Sequence, residues 1–435
     1  MKVLHLATHD NGGGGGGHDA AYRLHCNMRS AGVESVMVVL DKRSKDPNIV
    51  AMSEHLTLLD RLRLYLKKRL FHFHQRFRTS RYFVIEMGDF FPASRLVAAL
   101  PFRPDAIIVH WVSTFVTTSL MSKLGTITGA PLYWYMVDMA SMTGGCHYAF
   151  DCSGYTRQCG QCPQLRFGKY KSDISYRQWQ QKFNNFKTTK ITAVAGSTWL
   201  KRQATASSLF AGRPIKQILL GMDVDVFKPV PQQAARVVLG LPVDRKIIFF
   251  GAHNIDEERK GIDYLLDALS QLHHLLNRNP DLCRNILVVT AGLGTNAEHL
   301  KIPFEHQHIG LLRGSEKLAA AYQSADVFVN ASTEDSGPMM INESILCGTP
   351  VVSFDMGVAP DLVHTGRTGY RARLKDSADM AAGLYQLMKM DEVKAHAMRT
   401  ECRALGVQLC HPDVQVRAFM ALFALHTSAG KEVTL

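Results

Sequence analysis

The sequence predicts an α/β fold made of two doubly wound domains, each with a parallel sheet. Its 435 residues exceed what one hydrophobic core usually organises. Short apolar runs typical of buried strands alternate with helical patterns, which is the signature of parallel sheets. This alternation occurs twice, and each array begins with a strand that runs into a glycine turn.

The first array predicts a strand at 3–8, the glycine run at 12–17 and a helix from Asp19. The second array begins at Lys246, after a stretch rich in proline and glycine that indicates a domain joint. We therefore expect an N-terminal domain over 1–220, a C-terminal domain over 221–410, and a helix and tail over 411–435 that cross back. The other predicted strands lie at 34–41, 105–112, 131–138, 191–197, 246–253, 285–292, 325–332 and 349–355.

The composition indicates an anionic partner and no membrane span. The net charge is +12, and no apolar stretch approaches the ~20 residues that a transmembrane helix needs. The N-terminal residues MKVLHLATHD reach His and Asp too early for a signal peptide, so a cytoplasmic location is expected. In that compartment the nine cysteines are expected to be reduced or metal-bound.

The segment 56–78 combines leucines at helical spacing with seven basic residues and one acid, Asp60. Such a helix can lie in the headgroup region of an anionic membrane, at the inner face of the cell membrane. The alternative is a helix that packs on its own domain and turns a basic side to solvent.

The segment 325–363 carries the most specific pattern. A strand is followed by Glu334 and Asp335, then by a helix that starts near Pro338 and contains Glu343. Free amides at a helix start bind phosphate, and carboxylates accept hydrogen bonds from sugar hydroxyls. The pattern therefore predicts a pocket for a nucleotide-sugar.

This segment resembles the E-x7-E signature of retaining glycosyltransferases of family 4, which have the GT-B architecture of two Rossmann-like domains facing across a cleft. Asp335 takes the first acidic position and Glu343 the second, while Glu334 stands one residue too early. The family's first Glu is therefore either shortened to Asp335 or displaced to Glu334. The resemblance implies that Glu343 binds the ribose and that the first acid and the following residues hold the sugar and phosphates. The residues that follow the first acid are Gly337, Pro338, Met339 and Met340.

Two more segments carry the resemblance. GAHNIDEERKG at 251–261 resembles the donor phosphate loop, where Lys260 matches the family's lysine and Arg259 compensates for the arginine that Ala252 replaces. HIGLL at 308–312 resembles the loop that meets the nucleotide base near Gly310. The resemblance implies a UDP- or GDP-sugar donor, front-face transfer without a protein nucleophile, and no catalytic metal.

On the acceptor side, His110 and Asp138 lie at the carboxyl ends of predicted strands and are candidate catalytic residues with Lys260 and Asp335. The family often has His-Asp at the second place, whereas Val137 precedes Asp138 here. Both residues could instead be ordinary strand-end residues. The resemblance implies a glycan acceptor, lipid-linked, in bacterial polysaccharide biosynthesis.

Four cysteines lie in a loop that spans 146–162. The C-x2-C pair at the end of the loop is typical of a structural zinc site, whereas the five-residue spacing at its start is less typical. Two disulfides or free buried thiols are the alternatives. Some family members that build bacterial surface polysaccharides carry a very similar loop. The candidate zinc ligands are Cys146, Cys152, Cys159 and Cys162.

The glycine run permits a second function. Gly12, Gly14 and Gly17 fit G-x-G-x-x-G after a strand, which is typical of an NAD(P)-dependent oxidoreductase, but six glycines fit it trivially. A nucleic-acid partner is supported by charge alone, and we do not expect one. We expect Gly15, Gly16 and Gly17 to let the backbone approach the donor phosphates and the acceptor, with His18 and Asp19 opening the helix.

Overall fold

Two parallel sheets organise the chain. The structure, a computed structural model, describes residues 1–10, 16–76, 78–80, 82–84, 86, 88–294, 299–337 and 339–429. Unit 1 comprises Met1–Leu219 and the residues from Gln415 onward, and unit 2 comprises Leu220–Val414.

Unit 1 is built on a seven-stranded sheet with the order β3-β2-β1-β4-β5-β6-β7, in which all pairs are parallel. The chain winds outward from β1 to β3 on one side and from β4 to β7 on the other. The strands are β1 (Lys2–His9), β2 (Glu34–Asp41), β3 (Ile49–Ala51), β4 (Ala106–Val109), β5 (Leu132–Met136), β6 (Ile191–Ala195) and β7 (Ile215–Gln217). The helices are α1 (Gly16–Ser30), α2 (Leu58–Gln75), α3 (Ala93–Ala98), α4 (Thr118–Thr128), α5 (Ile174–Thr188) and α6 (Thr198–Ala206).

Unit 2 repeats this plan with six parallel strands in the order β10-β9-β8-β11-β12-β13. Its strands are β8 (Lys246–Asn254), β9 (Ile286–Leu293), β10 (Glu305–His308), β11 (Val327–Asn330), β12 (Val351–Phe354) and β13 (Gly369–Ala372). Its helices are α7 (Gln232–Leu239), α8 (Ile262–Leu275), α9 (Pro280–Asn285), α10 (Ser315–Ser324), α11 (Met339–Leu346), α12 (Ala359–Leu362), α13 (Ser377–Met388) and α14 (Glu392–Cys410). The predicted α/β class with two doubly wound parallel sheets is confirmed.

The last helix, α15 (Pro412–Ala429), supplies part of the packing of unit 1. Phe419 packs against Tyr135 and Phe423 against Tyr133, with ring centroids 5.2 and 4.8 Å apart. Gln415 Nε2 also donates a hydrogen bond to the buried Tyr135 hydroxyl at 2.9 Å. The predicted C-terminal helix thus covers residues of β5.

Helix α2 turns its apolar stripe outward. Leu59, Leu62 and Leu66 are 55, 52 and 50% exposed, whereas Asp60 is only 2% exposed. Asp60 forms an ion pair with Arg95 of α3, and Leu64 packs on the core of unit 1. The side that contacts the domain therefore carries a charged residue, and the leucines face solvent, contrary to the alternative of an ordinary packed amphipathic helix. No helix among the described residues is long and apolar enough to cross a membrane.

Candidate functional site

In unit 2, the turn after β8 and the loop after β11 bring two cations to one carboxylate. Lys260 Nζ lies 2.7 Å from Asp335 Oδ2, and Arg259 Nη1 lies 3.0 Å from the same oxygen. Arg259 also donates from Nε to Glu257 at 2.7 Å. Because β8 and β11 are neighbours where the winding direction reverses, this cluster lies at the switch point where doubly wound sheets bind ligands.

Asp335 stays ionised although it is buried. Burial alone would raise the pKa of its carboxyl, but the positive charges of Lys260 and Arg259 hold that pKa below its ordinary value. The Gly337 amide also donates to Asp335 Oδ1 at 3.4 Å. Lys260 and Arg259 can therefore release the Asp335 carboxylate and bind another anion without a proton transfer.

The position of Lys260 depends on the glycine that follows it. Gly261 has φ of +71°, and a Cβ there would lie 2.0 Å from the carbonyl oxygen of Ala331, just after β11. The Thr333 amide donates to the Arg259 carbonyl at 2.9 Å. The turn thus packs closely against the loop after β11, and this packing places Lys260 and Arg259 beside Asp335.

The second acid, Glu343, lies on α11 and is buried. The Tyr322 hydroxyl donates to Glu343 Oε2 at 2.8 Å, which orients the carboxylate. Burial, together with the Glu343 charge and hydrogen bond, raises the pKa of Tyr322 well above its usual range, so the hydroxyl stays a donor. At the start of α11, the Met340 methyl carbon would lie 3.1 Å from a Cβ built on Gly251, in the second half of β8.

The remaining predicted donor residues occupy several places. Glu334 is buried beside Asp335, and its carbonyl oxygen lies 3.4 Å from Arg259 Nη1. Met339 is the first residue of α11. Gly310 follows β10 with φ of +68°, and its carbonyl accepts from the amide of Gly292, which lies in the last part of β9. Pro338 and Gly15 lie outside the described residues.

Unit 1 has its own pocket at the carboxyl ends of β4 and β5. Charged, aromatic and hydroxyl side chains share its lining. Thr114 has φ of +69°, which is strained for a β-branched residue and is typical of ligand-binding loops. The polar and aromatic lining residues include Glu86, His110, Trp111, Thr114, Asp138 and Lys182.

Gly16 and Gly17 begin α1 next to this pocket, so the helix starts two residues before the predicted His18. A Cβ on Gly17 would lie 3.2 Å from Val137 and 3.7 Å from Trp111. The absence of a side chain therefore lets α1 begin close to the loops after β4 and β5.

His110 and Asp138 both line the pocket, in different states. His110 Nε2 lies 3.0 Å from Nδ1 of His5, and burial lowers the pKa of His110 to about 3, so its ring is neutral. Asp138 Oδ1 accepts from the Ala140 amide at 2.8 Å, and Oδ2 lies 2.5 Å from His147 Nδ1. A neutral His110 can exchange hydrogen bonds with a ligand but is not an acid at neutral pH.

The four cysteines of the loop line one small cavity, and none of them forms a disulfide. The Gly144 amide donates to Cys159 Sγ at 3.1 Å and the Gly154 amide to Cys152 Sγ at 3.5 Å. Within the described part of the chain, no three His, Cys, Asp or Glu residues are arranged to hold a metal ion. Zinc binding would require the thiols to move together around this cavity, and it stays a prediction.

Three contributors to these sites were not predicted from the sequence. Glu257 precedes Arg259 by two residues, which is a usable signal for a local ion pair. Tyr322 is 21 residues from Glu343, and nothing in the sequence links them. His147 stands beside Cys146 in the cysteine loop, but its contact with Asp138 depends on how that loop folds.

A match to a protein family covers the part of unit 2 that contains this cluster. Residues 244–390 match the family of glycosyl transferases group 1. This part of the chain is a group 1 glycosyltransferase domain. It contains Arg259, Lys260, Asp335 and Glu343.

The curated relatives align with less than half of the chain. The D-inositol 3-phosphate glycosyltransferase of Saccharomonospora viridis is 28% identical over 193 residues, which cover 42% of this chain and 43% of that protein. The chain therefore aligns with less than half the length of this curated relative.

Solved structures match the fold over nearly the whole chain. Anabaena HepE, in complex with UDP and glucose, has a TM-score of 0.63 at 16% identity and covers 98% of this chain and 100% of its own. WaaG, a glycosyltransferase involved in lipopolysaccharide biosynthesis, has a TM-score of 0.58 at 11% identity and covers 95% and 98%. At these identities the likeness shows the fold alone, which is that of GT-B glycosyltransferases. The oxidoreductase alternative finds no support in these comparisons.

Proposed function

We propose that this chain is a retaining glycosyltransferase that moves a sugar from a nucleotide-diphosphate-sugar to a glycan acceptor. The observation that carries the proposal is the convergence of Lys260 and Arg259 on Asp335, inside the group 1 domain and beside the start of α11. The complex of the structural neighbour HepE with UDP and glucose supports a donor of this class.

The charges of the cluster suit a leaving diphosphate. The Lys260 ammonium and the Arg259 guanidinium would neutralise the phosphates, and the amides at the start of α11 would add hydrogen bonds. In this proposal Asp335 exchanges its contacts with the cations for hydroxyls of the donor sugar. Glu343, held by Tyr322, binds the ribose, and the nucleotide base lies near Gly310.

Front-face transfer then needs no protein nucleophile and no metal ion. The leaving diphosphate accepts the proton of the acceptor hydroxyl while the new glycosidic bond forms on the side that the diphosphate leaves. The protein contributes charge neutralisation and the positioning of the acceptor. We place that acceptor in the pocket of unit 1, whose hydroxyl, carboxylate and indole groups suit a sugar.

Thermal unfolding with a panel of ligands tests the donor class. UDP or GDP should raise the melting temperature, and one of UDP-glucose, UDP-galactose, UDP-N-acetylglucosamine and GDP-mannose should release its nucleotide. NAD and duplex DNA serve as controls and should leave the melting temperature unchanged. Stabilisation by NAD alone, with no nucleotide released from any donor, would contradict the proposal.

We further propose that α2 binds an anionic membrane and brings the enzyme to a lipid-linked acceptor of bacterial polysaccharide biosynthesis. The support is the outward leucine stripe at Leu59, Leu62 and Leu66, flanked by exposed cations. Buried apolar area and basic residues both add to membrane affinity, at ~1 kcal/mol for each Lys or Arg near an anionic surface. The exposed cations of α2 include Arg61, Arg63, Lys68 and Arg69.

Sedimentation with vesicles of phosphatidylcholine containing phosphatidylglycerol tests this surface. We expect wild type to sediment, and the triple variant Leu59→Ser, Leu62→Ser, Leu66→Ser to lose at least tenfold in affinity. The matched control changes the exposed Val237 and Val238 of α7 to Ser and should sediment like wild type. Equal sedimentation of all three proteins would argue against a role for α2.

A further inference from the structure

The geometry points to His147 as the residue that positions Asp138 for the acceptor. This inference rests on the proposed function and adds a residue from the cysteine loop to the acceptor pocket. Its basis is the contact between His147 Nδ1 and Asp138 Oδ2 at 2.5 Å. His147 lies nine residues after Asp138 in the chain.

Both oxygens of Asp138 have a defined partner. Oδ1 accepts from the Ala140 amide at 2.8 Å. Oδ2 lies 2.5 Å from His147 Nδ1, and because a carboxylate only accepts, we assign the proton to this nitrogen. In that tautomer the longer approach of Trp111 Nε1 to Nδ1, at 3.4 Å, is not a hydrogen bond. A carboxylate has about four lone-pair sites, so two remain for a ligand. Asp138 lines the pocket, whereas His147 is not among its lining residues. His147 would therefore act through Asp138 and not by touching the acceptor itself.

The loop holds His147 firmly through its backbone. The His147 amide donates to the Tyr82 carbonyl at 2.7 Å, and the Met139 amide donates to the His147 carbonyl at 2.9 Å. The neighbouring Cys146 is buried and forms an antiparallel bridge with Phe83. This backbone pairing fixes the Cα of His147 near Asp138, and the burial of the side chain, which is 8% exposed, limits its other rotamers.

Two glycines let this loop pack so closely. A Cβ on Gly144 would lie 2.2 Å from the Ser175 carbonyl oxygen. Gly145 has φ of +142°, and a Cβ there would lie 2.5 Å from the Val84 carbonyl oxygen. The TGG sequence before Cys146 is thus required by the fold that brings His147 to Asp138.

The contact gives His147 a defined chemical role. Its Nδ1–H fixes the direction of the Asp138 carboxylate, so the remaining lone pairs point at one place in the pocket. An acceptor hydroxyl that donates to Asp138 there would have its oxygen held for attack on the donor sugar. The loss of His147 should therefore lower kcat more than it changes the KM for the donor, whose site lies in unit 2.

Steady-state kinetics of nucleotide release tests this role, with the panel donor that wild type turns over. We expect His147→Ala to lower kcat at least tenfold while the donor KM stays within about twofold. His147→Asn should recover most of kcat, because its amide N–H can replace Nδ1–H, and His147→Gln should not. The exposed His55→Ala is the matched control and should behave like wild type.

A double-mutant cycle separates positioning from a general effect on the fold. If His147 acts through Asp138, the variant Asp138→Ala, His147→Ala should be no slower than Asp138→Ala alone. A full kcat in His147→Ala, or additive losses in the double variant, would overturn the inference while the glycosyltransferase proposal stands. A wild-type chain that releases nucleotide from no donor would overturn both, and the variants would not be needed to see it. Equal melting temperatures of wild type and His147→Ala exclude misfolding as the cause of the lower kcat.

Discussion

Lys260 and Arg259 share the carboxylate of Asp335, and this sharing decides how the donor site should respond to mutation. We expect Lys260→Ala to weaken UDP or GDP binding about 10- to 100-fold, because a charge-assisted hydrogen bond contributes about 1.5–3 kcal/mol. Isothermal titration would measure it. Lys317→Ala, an exposed lysine of α10, is the matched control and should bind like wild type. Unchanged affinity in Lys260→Ala would remove this lysine from the donor site.

At the level of single residues, the structure brings Lys260 and Asp335 together, and their role in a donor site stays a prediction. Asp335 was predicted from the pattern of a strand followed by a helix start, and Lys260 was predicted from the family resemblance. Tyr322 and His147 were not, because their contacts join distant or irregular segments. A long-range hydrogen bond leaves no periodic pattern in the chain.

Among the secondary-structure elements, all nine predicted strands lie within the sheets, and the four that were missed are the sheet edges. The missed strands are β3, β7, β10 and β13, at the two ends of each sheet. Central strands of parallel sheets are buried on both faces and read as apolar runs. Edge strands such as β7 (Ile215–Gln217) and β10 (Glu305–His308) are short and polar, so their pairing is not visible in the sequence.

A cluster of buried histidines between β1, α1 and the end of β4 should make the fold sensitive to acid. His5 and His110 are stacked, and His25 lies edge-on to His5. Burial lowers the pKa of His110 to about 3 and that of His25 to about 4. The unfolded chain takes up these protons below pH ~6.5 and the folded chain does not, so the free energy of unfolding should fall as the pH drops.

Urea unfolding at several pH values measures this effect. Each such histidine should lower the free energy of unfolding by about 1.4 kcal/mol per pH unit below its ordinary pKa. His25→Gln should make the slope between pH 6 and pH 5 less steep by about that amount, while the exposed His55→Gln should do so by much less. A free energy of unfolding that does not change between pH 7 and pH 5 would contradict the prediction.

The cysteine loop gives a second prediction at this scale. Metal analysis of protein purified without chelator should find about one zinc per chain, because four thiols around one cavity can close on the ion. Cys162→Ser should lose the zinc and lower the melting temperature. Cys283→Ser, in α9 of unit 2, should keep it. Protein that carries no zinc and does not take it up would favour free buried thiols.

For the whole molecule, tryptophan fluorescence reports on the unfolding of one unit, whereas circular dichroism reports on both. All four of them, at positions 111, 134, 179 and 199, belong to unit 1. We expect UDP to stabilise unit 2 by ~2.7 kcal/mol at a concentration 100 times its Kd. The unfolding transition seen by far-UV circular dichroism should then shift more than the one seen by tryptophan fluorescence. A shift confined to fluorescence would place the nucleotide in unit 1.

The return of α15 to unit 1 also affects the order in which the units can be completed during synthesis. A ribosome makes the chain from the N-terminus, so domains generally fold in that order. Unit 2 ends at Val414, whereas unit 1 still lacks the side chains of Phe419 and Phe423 at that moment. All residues of unit 2 are therefore available before unit 1 can close its core. The unit whose synthesis begins first is therefore the last to be completed. Until α15 has been made, Tyr133 lacks its contact with Phe423 and Tyr135 lacks its contact with Phe419.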